Sequence, residues 1–397
     1  MAHSMFAGVD WGGHRHQLSI VDQGGGRLLD RAFNHDREGM ADLRAQLASF
    51  PGGAVPVAVE RSEGLLVEAM LDWGHPVFAV SPRIAARCRE RYRVASSKDD
   101  SFDAFVLADS LRHEHAHWRP LSRPSAGLAE LRAMVRDRQR VLEMQQAVEA
   151  QLRASLETYH PAAARLFSSV DRDITLAFIR SYPTPEQAAR LGERRMDAFL
   201  KRHSYRGRVP ADVLVRRLRT HLLGASTGTT VARSRFALAQ TELLELLNRQ
   251  LKDFDGALEQ ALQGHPDAHI YLSFPGIGTV VAAMLLATIG EDRARYPRAD
   301  VLLSEAGLAP VTRSSGRMRR VRFRYAANAL MRDAFTWWAY NSIRMSPWAR
   351  AAYDAGKARG LHHHRALRGL GARWGRVLWR CWQDRTPYDE EQHLASL

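Results

Sequence analysis

Four acidic residues, Asp10, Glu60, Asp100 and Asp103, stand where carboxylates can meet around a metal ion. Asp10 and Glu60 each end a short apolar run, as residues at the ends of buried strands do. Asp100 and Asp103 open an apolar helical pattern, and their spacing of three places them as neighbours on that helix. Clustered carboxylates repel one another unless a cation neutralises them, and Mg²⁺ prefers oxygen ligands. We therefore predict one Mg²⁺ site formed by these four side chains.

Each acid alone has an ordinary structural explanation. An Asp at the end of a strand is a common turn or capping residue, and Asp100 can simply cap the helix that follows it. The order of the elements favours the metal site. The predicted order of elements is strand, hairpin, helix, strand, helix, strand and acidic helix. This is the alternation of an α/β domain. We predict an RNase H-like fold of α/β class for residues 5–120.

The remainder of the chain is predicted to be mostly helical. Strand signals are few in residues 125–263, and a new unit begins near residue 268, so we predict a helical region at 125–263 and a third domain at 268–390. Apolar residues recur at spacings of four and three along residues 243–261. This pattern fits either an amphipathic helix packed inside one domain or a helix pair between subunits.

Charge favours a polyanionic partner. The 397 residues include 57 Lys and Arg against 43 Asp and Glu, a net charge of +14. Nucleic acid is the usual partner of such a chain, and a membrane surface is the alternative. No run of 18 apolar residues and no secretion leader is present, and the two cysteines have no metal-ligand spacing. We expect a cytoplasmic protein without a membrane span.

A second reactive segment surrounds two serines, Ser314 and Ser315. Six arginines fall between residues 313 and 324, and among them we predict nucleic-acid contacts at Arg313, Arg317, Arg319 and Arg320. A run of charge is usually only a solvated surface. Arginines also grip phosphate oxygens, and a serine held among them can attack a phosphorus atom. No adjacent His or Asp supplies a base, so the residues alone leave both explanations open.

Two further segments have alternative explanations. Gly276 and Gly278 precede an apolar helix, where backbone N–H groups can bind a phosphate or where the glycines can simply form a turn. A later helix contains the aromatic residues Phe335, Trp337, Trp338 and Tyr340. They can stack on bases or form a stripe of the hydrophobic core, and the core stripe is favoured.

Taken in order, these motifs resemble transposases of the insertion-sequence "one-ten" type, the bridge-RNA-guided serine recombinases. The resemblance runs from about Phe6 to Tyr388. Its motifs are Gly8-Val9-Asp10, Val59-Glu60, Lys98 to Ala104, Pro275 to Gly278, Gly307 to Pro310 and Ser315-Gly316. The chain departs from the family pattern at Gly13, where Lys is frequent, and at Ser314, where Gln is frequent.

The resemblance implies a RuvC-like domain with a DEDD acid set and a C-terminal transposase domain with Ser315 as nucleophile. It implies Mg²⁺, a phosphoserine intermediate, donor and target DNA, a structured guide RNA and a homo-oligomer built as a dimer of dimers at the bacterial nucleoid. The basic segment 83–93 and the middle helical region are candidate RNA contacts. Two rival functions are a metal-dependent Holliday-junction nuclease, which needs the acids without the serine, and a non-catalytic nucleic-acid-binding protein.

Overall fold

The computed structural model describes residues 4–51, 53–92, 99–315 and 318–395 of the chain. The backbone forms two compact units, and the division between them falls after Arg123. The first unit is a mixed α/β domain, and the second is almost entirely helical. The predicted class, an α/β N-terminal part followed by mostly helical regions, is confirmed.

A five-stranded sheet forms the centre of the first unit. Its strands are β1 (Met5–Trp11), β2 (Arg15–Asp22), β3 (Arg27–Asn34), β4 (Val57–Val59) and β5 (Val77–Ala79). Their order is β3-β2-β1-β4-β5, in which β2 is antiparallel to β1 and β3, whereas β4 is parallel to β1 and β5. The helices of this unit are α1 (Arg37–Ala48), α2 (Leu65–Asp72), α3 (Pro82–Glu90) and α4 (Asp100–Glu114). This is the order of elements that the apolar pattern predicts.

Helices cover both faces of the sheet because side chains alternate along its strands. On one face, Val9 of β1 shares an apolar cluster with Leu43 of α1 and Val67 of α2. On the other face, Phe6 of β1 shares a cluster with Leu107 of α4. Even-numbered residues of β1 are therefore directed to the side of α3 and α4.

In its described residues, the second unit consists of helices and one hairpin. Its helices are α5 (Ala126–Tyr159), α6 (Pro161–Arg165), α7 (Asp173–Ser181), α8 (Pro185–Ala189), α9 (Glu193–Arg202), α10 (Ala211–Thr220), α11 (Thr227–Gln263), α12 (Ala268–Leu272), α13 (Thr279–Ile289), α14 (Ala299–Glu305), α15 (Ala329–Met345), α16 (Pro347–Ala358), α17 (His363–Asp384) and α18 (Glu390–Ala395). A short 3₁₀ helix covers Arg293–Arg295. The hairpin is formed by β6 (Val311–Ser315) and β7 (Met318–Arg322).

The two long helices α5 and α11 pair with each other. The side chain of Gln145 donates to Asn248 at 3.3 Å, and Arg138, earlier in α5, forms an ion pair with Asp255, later in α11. Because residue numbers rise along one helix as they fall along the other, the helices are antiparallel. The pattern in residues 243–261 thus belongs to a helix packed inside its own unit. A helix pair between subunits stays a prediction.

Two apolar clusters lie along this pair. One joins Leu152 and Leu244 to helices α6 to α10, and the other joins Leu131 and Leu258 to helices α12 to α17. The long helices therefore run through both regions that the sequence separates near residue 263. The division into domains at 125–263 and 268–390 stays a prediction. None of the helices in the described residues is long and apolar enough to cross a membrane.

Candidate active site

Asp10 and Glu60 lie at corresponding positions of two adjacent strands. Parallel pairing aligns Gly8 of β1 with Ala58 of β4, and continuing this register by two residues places Asp10 opposite Glu60. Neighbouring strands are about 4.8 Å apart. Ala58 and Phe6 share the apolar cluster on the side of α3 and α4, so alternation directs both carboxylates to that side. The sheet therefore holds the two acids on one face.

Helix α4 crosses β1 at close range beside Gly8. A Cβ atom on Gly8 would lie 2.2 Å from the carbonyl oxygen of Ala104 and 2.4 Å from the backbone nitrogen of Ala108. A larger residue would therefore push the helix away from the sheet. Asp103 precedes Ala104, and Asp10 follows Gly8 by two residues on the same side of the strand. The close approach places these two carboxylates in one region, where Asp103 is only 5% exposed.

The start of α4 is fixed by Asp99 and Ser101. Asp99 is the capping residue, and its side chain accepts a hydrogen bond of 3.1 Å from the backbone N–H of Ser101. The alternative in which Asp100 caps this helix is therefore wrong. The Ser101 hydroxyl donates to Asp30 of β3. Burial works to raise the pKa of Asp30, but hydrogen bonds from Ser101 and Gln17 outweigh it and hold the pKa below its ordinary value. Asp100 itself is exposed.

Arg89 of α3 joins two of the four acids. Its terminal nitrogen donates a 2.9 Å hydrogen bond to Glu60, and its Nε lies 2.9 Å from a carboxylate oxygen of Asp103. The second contact is an ion pair without hydrogen-bond geometry, because the buried Nε finds no hydrogen-bond partner among the described residues. The sequence assigned Arg89 only to a basic helix for RNA contacts. The position of Arg89, on the helix between Glu60 and Asp100, was a signal that it could lie near the acids. Its pairing with Glu60 and Asp103 depends on the tertiary fold.

The donor set suits a hard divalent cation. Asp10, Glu60, Asp100 and Asp103 offer only carboxylate oxygens, which Mg²⁺ prefers. In the described residues, however, no group of three or more His, Cys, Asp or Glu side chains is arranged to hold a metal ion. Arg89 supplies the positive charge between two of the acids instead. The convergence of all four acids in one coordination sphere stays a prediction, and it requires Arg89 to give way to the ion.

Ser314 and Ser315 end strand β6, and both are exposed. In an antiparallel pair, opposite residues share a face and successive residues alternate between faces. The register of the β6–β7 hairpin therefore gives Ser315 the same face as Arg320 and Arg322. Ser314 is paired directly with Arg319 and shares a face with Val321. The hairpin thus gives Ser315 two arginines on its face, whereas Ser314 is paired with one arginine, and phosphate contacts by these side chains stay a prediction.

Arginines hold the base of this hairpin. Nε of Arg324 donates to the carbonyl oxygen of Ala309 at 3.2 Å, and Arg332 of α15 donates to the carbonyl oxygen of Arg324 at 2.9 Å. The guanidinium groups of Arg332 and Arg368 each lie 4.8 Å from the centre of the Phe323 ring. These contacts connect the strand that follows the serines to α15 and α17.

Two glycines near these segments, Gly276 and Gly307, have packing roles. Gly307 has a φ of +67°, and a Cβ there would lie 2.5 Å from the guanidinium of Arg332. Gly276 has a φ of +80°, and its Cβ would lie 2.6 Å from the backbone nitrogen of Ser342 in α15. Gly278 precedes α13 and has open space around it. Nucleic-acid contacts at Gly276 and Gly278 stay predictions, although Gly276 is already explained by its contact with α15.

The remaining predicted contacts are described only in part. Arg320 is exposed on β7. The backbone of Arg313 and Arg319 lies in the hairpin, but their side chains are outside the described part of the chain, as is the whole of Arg317. Lys98, which begins the third acid motif, and Gly316, which follows the serine, are outside it as well.

Two family models match the chain. One, described as a DEDD transposase of IS110, matches residues 7–161, and the other, described as a transposase of the IS116/IS110/IS902 family, matches residues 268–354. The putative transposase of the IS117 mini-circle of Streptomyces coelicolor is 36% identical over 99% of this chain and 97% of its own length. The 42 kDa protein of insertion element IS900 of Mycobacterium paratuberculosis is 30% identical over the whole of both chains. The chain belongs to the IS110/IS116 family of insertion-sequence transposases.

Membership in this family decides the class of reaction. A transposase acts on DNA by cleaving and rejoining strands, so the predicted DNA partner and enzymatic function are confirmed at this level. DEDD transposases typically depend on a metal ion. The first family model covers Asp10, Glu60, Asp100 and Asp103, and the second covers Ser315. The roles of these residues are not decided by the match.

Proposed function

We propose that this transposase is a site-specific DNA recombinase with an RNase H-like acid site and a serine nucleophile. The observation that carries the proposal is the placement of Asp10 opposite Glu60, on the face of the sheet that packs against Asp103 and its helix. The strand order, with an antiparallel β1-β2-β3 hairpin series and parallel β4 and β5, supports an RNase H-like fold.

Asp10, Glu60, Asp100 and Asp103 would hold Mg²⁺ in this proposal. A bound Mg²⁺ supplies positive charge that polarises the phosphate and stabilises the charge developing on its oxygens. The sheet orients Asp10 and Glu60, and the close contact at Gly8 positions Asp103. Arg89 offsets part of the negative charge of Glu60 and Asp103 before the ion binds, which allows these acids to lie close together in the free protein.

Ser315 would carry out the covalent step. Its hydroxyl loses a proton, its oxygen bonds to the phosphorus of a DNA phosphodiester, and the displaced DNA oxygen leaves as a protonated hydroxyl. The phosphoserine ester preserves the energy of the broken bond, so attack by a second DNA hydroxyl can rejoin the strand and release the serine. Arg320 and Arg322, on the face of Ser315, would stabilise negative charge on the phosphate.

Covalent trapping tests the nucleophile. Labelled DNA from the ends of the element is incubated with protein and Mg²⁺, denatured, and examined for protein that has retained the label. Ser315→Ala should abolish the adduct while nucleic-acid binding changes little, and Ser314→Ala is the matched control. If Ser314→Ala removes the adduct and Ser315→Ala does not, the assignment is off by one residue.

The same assay separates the rival functions. Cleavage that requires Asp10 but never yields an adduct would identify a Holliday-junction type of nuclease. Binding without any cleavage, unchanged by Asp10→Asn, would identify a non-catalytic binding protein. Either result would overturn the serine mechanism.

A structured RNA from the element is proposed to choose the DNA sites by base pairing, with the active oligomer a dimer of dimers. The resemblance suggests this arrangement, and the net charge of +14 supports binding to a polyanion. Titrations at several salt concentrations should show tighter binding to RNA from the element than to unrelated RNA of equal length. Equal affinities, together with recombination that needs no RNA, would leave an unguided recombinase.

A further inference from the structure

The aromatic helix α15 has two different sides. Phe335 and Trp338 are fully buried in the core of the second unit, as a core stripe predicts. Trp337 and Tyr340 are instead 59% and 46% exposed, so the core stripe is wrong for these two residues. Large aromatic side chains contribute strongly to binding when they are covered, so this exposed pair requires an explanation beyond the fold.

The exposed rings form a row with residues of neighbouring helices. The ring centres of Trp337 and Tyr340 are 6.5 Å apart. The ring centre of Tyr340 is 6.3 Å from that of His363, at the start of α17. In both pairs the ring planes are nearly perpendicular. His363 is fixed in turn by a 2.8 Å hydrogen bond with the hydroxyl of Tyr353 in α16. Edge-to-face contacts hold these rings in place without stacking them on one another. The row and its supporting tyrosine are therefore assembled from three helices.

Charge around the row is positive. Residues 325–370 contain seven Lys and Arg but only two Asp and Glu. Arg344 is exposed one helical turn after Tyr340, and Arg365 is exposed two residues after His363. Aromatic rings beside arginines are the combination that binds single-stranded nucleic acid, because bases stack on the rings while cations contact the phosphates. Aromatic residues and arginine are also enriched in protein–protein interfaces, so the test below includes the oligomeric state.

The position of the row connects it to the proposed nucleophile. Arg332, which holds the end of the serine hairpin through the carbonyl of Arg324, precedes Trp337 by five residues in the same helix. Five residues correspond to about 7.5 Å along a helix axis. A nucleotide on the row would therefore be bound by the same helix that anchors the hairpin.

We propose that Trp337, Tyr340 and His363 form a stacking site for unpaired bases of single-stranded DNA. The inference extends the proposed recombinase function, since exchanging strands between DNA molecules requires bases that have left their original pairs. Arg344 and Arg365 contact the phosphates of the bound strand. Stacking is tolerant of sequence, so the site takes bases of any identity.

Binding of a labelled single-stranded oligonucleotide to the full chain tests the site. All proteins carry Ser315→Ala, so that only reversible binding is measured. Trp337→Ala should weaken binding of single-stranded DNA roughly tenfold, whereas Trp337→Phe should retain most of it. The salt dependence of binding should keep the same slope, because the substitution removes no charge. Leu65→Ala, at an exposed apolar residue of α2, is the control and should bind as the parent does.

Several outcomes would overturn the inference. One is unchanged affinity of Trp337→Ala for single-stranded DNA. Another is an equal loss of affinity of Trp337→Ala for duplex DNA of the same length. A third is a loss of affinity confined to single-stranded RNA. A change in oligomeric state without a change in DNA binding would identify the row as a protein interface. The titration measures no covalent step, so its result is independent of whether Ser315 proves to be the nucleophile.

Discussion

Replacing Arg89 with Gln removes the positive charge between Glu60 and Asp103. The Asp103 side chain is only 6% exposed and that of Glu60 is 26% exposed, whereas that of Arg89 is 36% exposed. Loss of one partner from a fully buried ion pair costs about 3–5 kcal/mol, and an exposed pair contributes at most about 1 kcal/mol. Because solvent screens Arg89 but hardly reaches Asp103, we expect a loss of about 2 kcal/mol in the free energy of unfolding.

The loss of stability caused by Arg89→Gln should depend on divalent cations. In a chelator, the urea midpoint of Arg89→Gln should fall by about 1 M, taking a denaturant slope of about 2 kcal/mol per molar. Excess Mg²⁺ should restore much of this loss and should stabilise the variant more than the parent, since the ion no longer competes with a guanidinium. Circular dichroism during urea unfolding measures both effects.

Arg87→Gln is the matched control, because Arg87 is exposed on the same helix. It should change stability little in either condition. The reasoning is refuted if Arg89→Gln is as stable as the parent in chelator, or if Mg²⁺ stabilises the two proteins equally.

Two further substitutions test the packing and the pH response. Gly8→Ala should lower stability by about 2–3 kcal/mol in urea unfolding, because its Cβ would lie 2.2 Å from a backbone oxygen of α4; a neutral result would contradict the close approach. Burial lowers the pKa of His160 to about 4 from an ordinary 6.5, so the folded state keeps it neutral while the unfolded chain takes up a proton. The stability that neutral His160 contributes to the folded state is complete above pH 6.5. The free energy of unfolding then falls by about 3 kcal/mol as the pH drops to 4, at about 1.4 kcal/mol per pH unit. His160→Gln should reduce the dependence of stability on pH, measured as urea midpoints between pH 4 and 6.5. An unchanged dependence would assign the effect to other groups.

Local patterns in the sequence were sufficient to predict the elements around the acids. Apolar runs followed by Asp10 and Glu60 correspond to β1 and to the end of β4, and the acidic helical pattern corresponds to α4. These predictions succeed because alternation and helical spacing reflect burial within a few residues of the chain. The family motifs are local for the same reason, and the resemblance they carry agrees with the family match.

Distinctions between neighbouring residues were harder to predict. The sequence could not tell that Asp99 rather than Asp100 caps α4, because both are good capping residues and a helix boundary of one residue decides between them. Nor could it separate Trp337 from Trp338, which are adjacent in α15, although the first is exposed and the second is buried.

The sequence by itself determined the class of the first unit, the order of its elements, and which acids and serines are candidates for the chemistry. Only the tertiary structure decided which charges meet. Arg89 contacts Glu60 and Asp103 across distances of 29 and 14 residues in the chain, and Gly8 contacts α4 nearly 100 residues away. No pattern within one segment encodes such contacts, because they depend on how separate elements pack. The same packing sets the register that gives Ser315, and not Ser314, the face with Arg320.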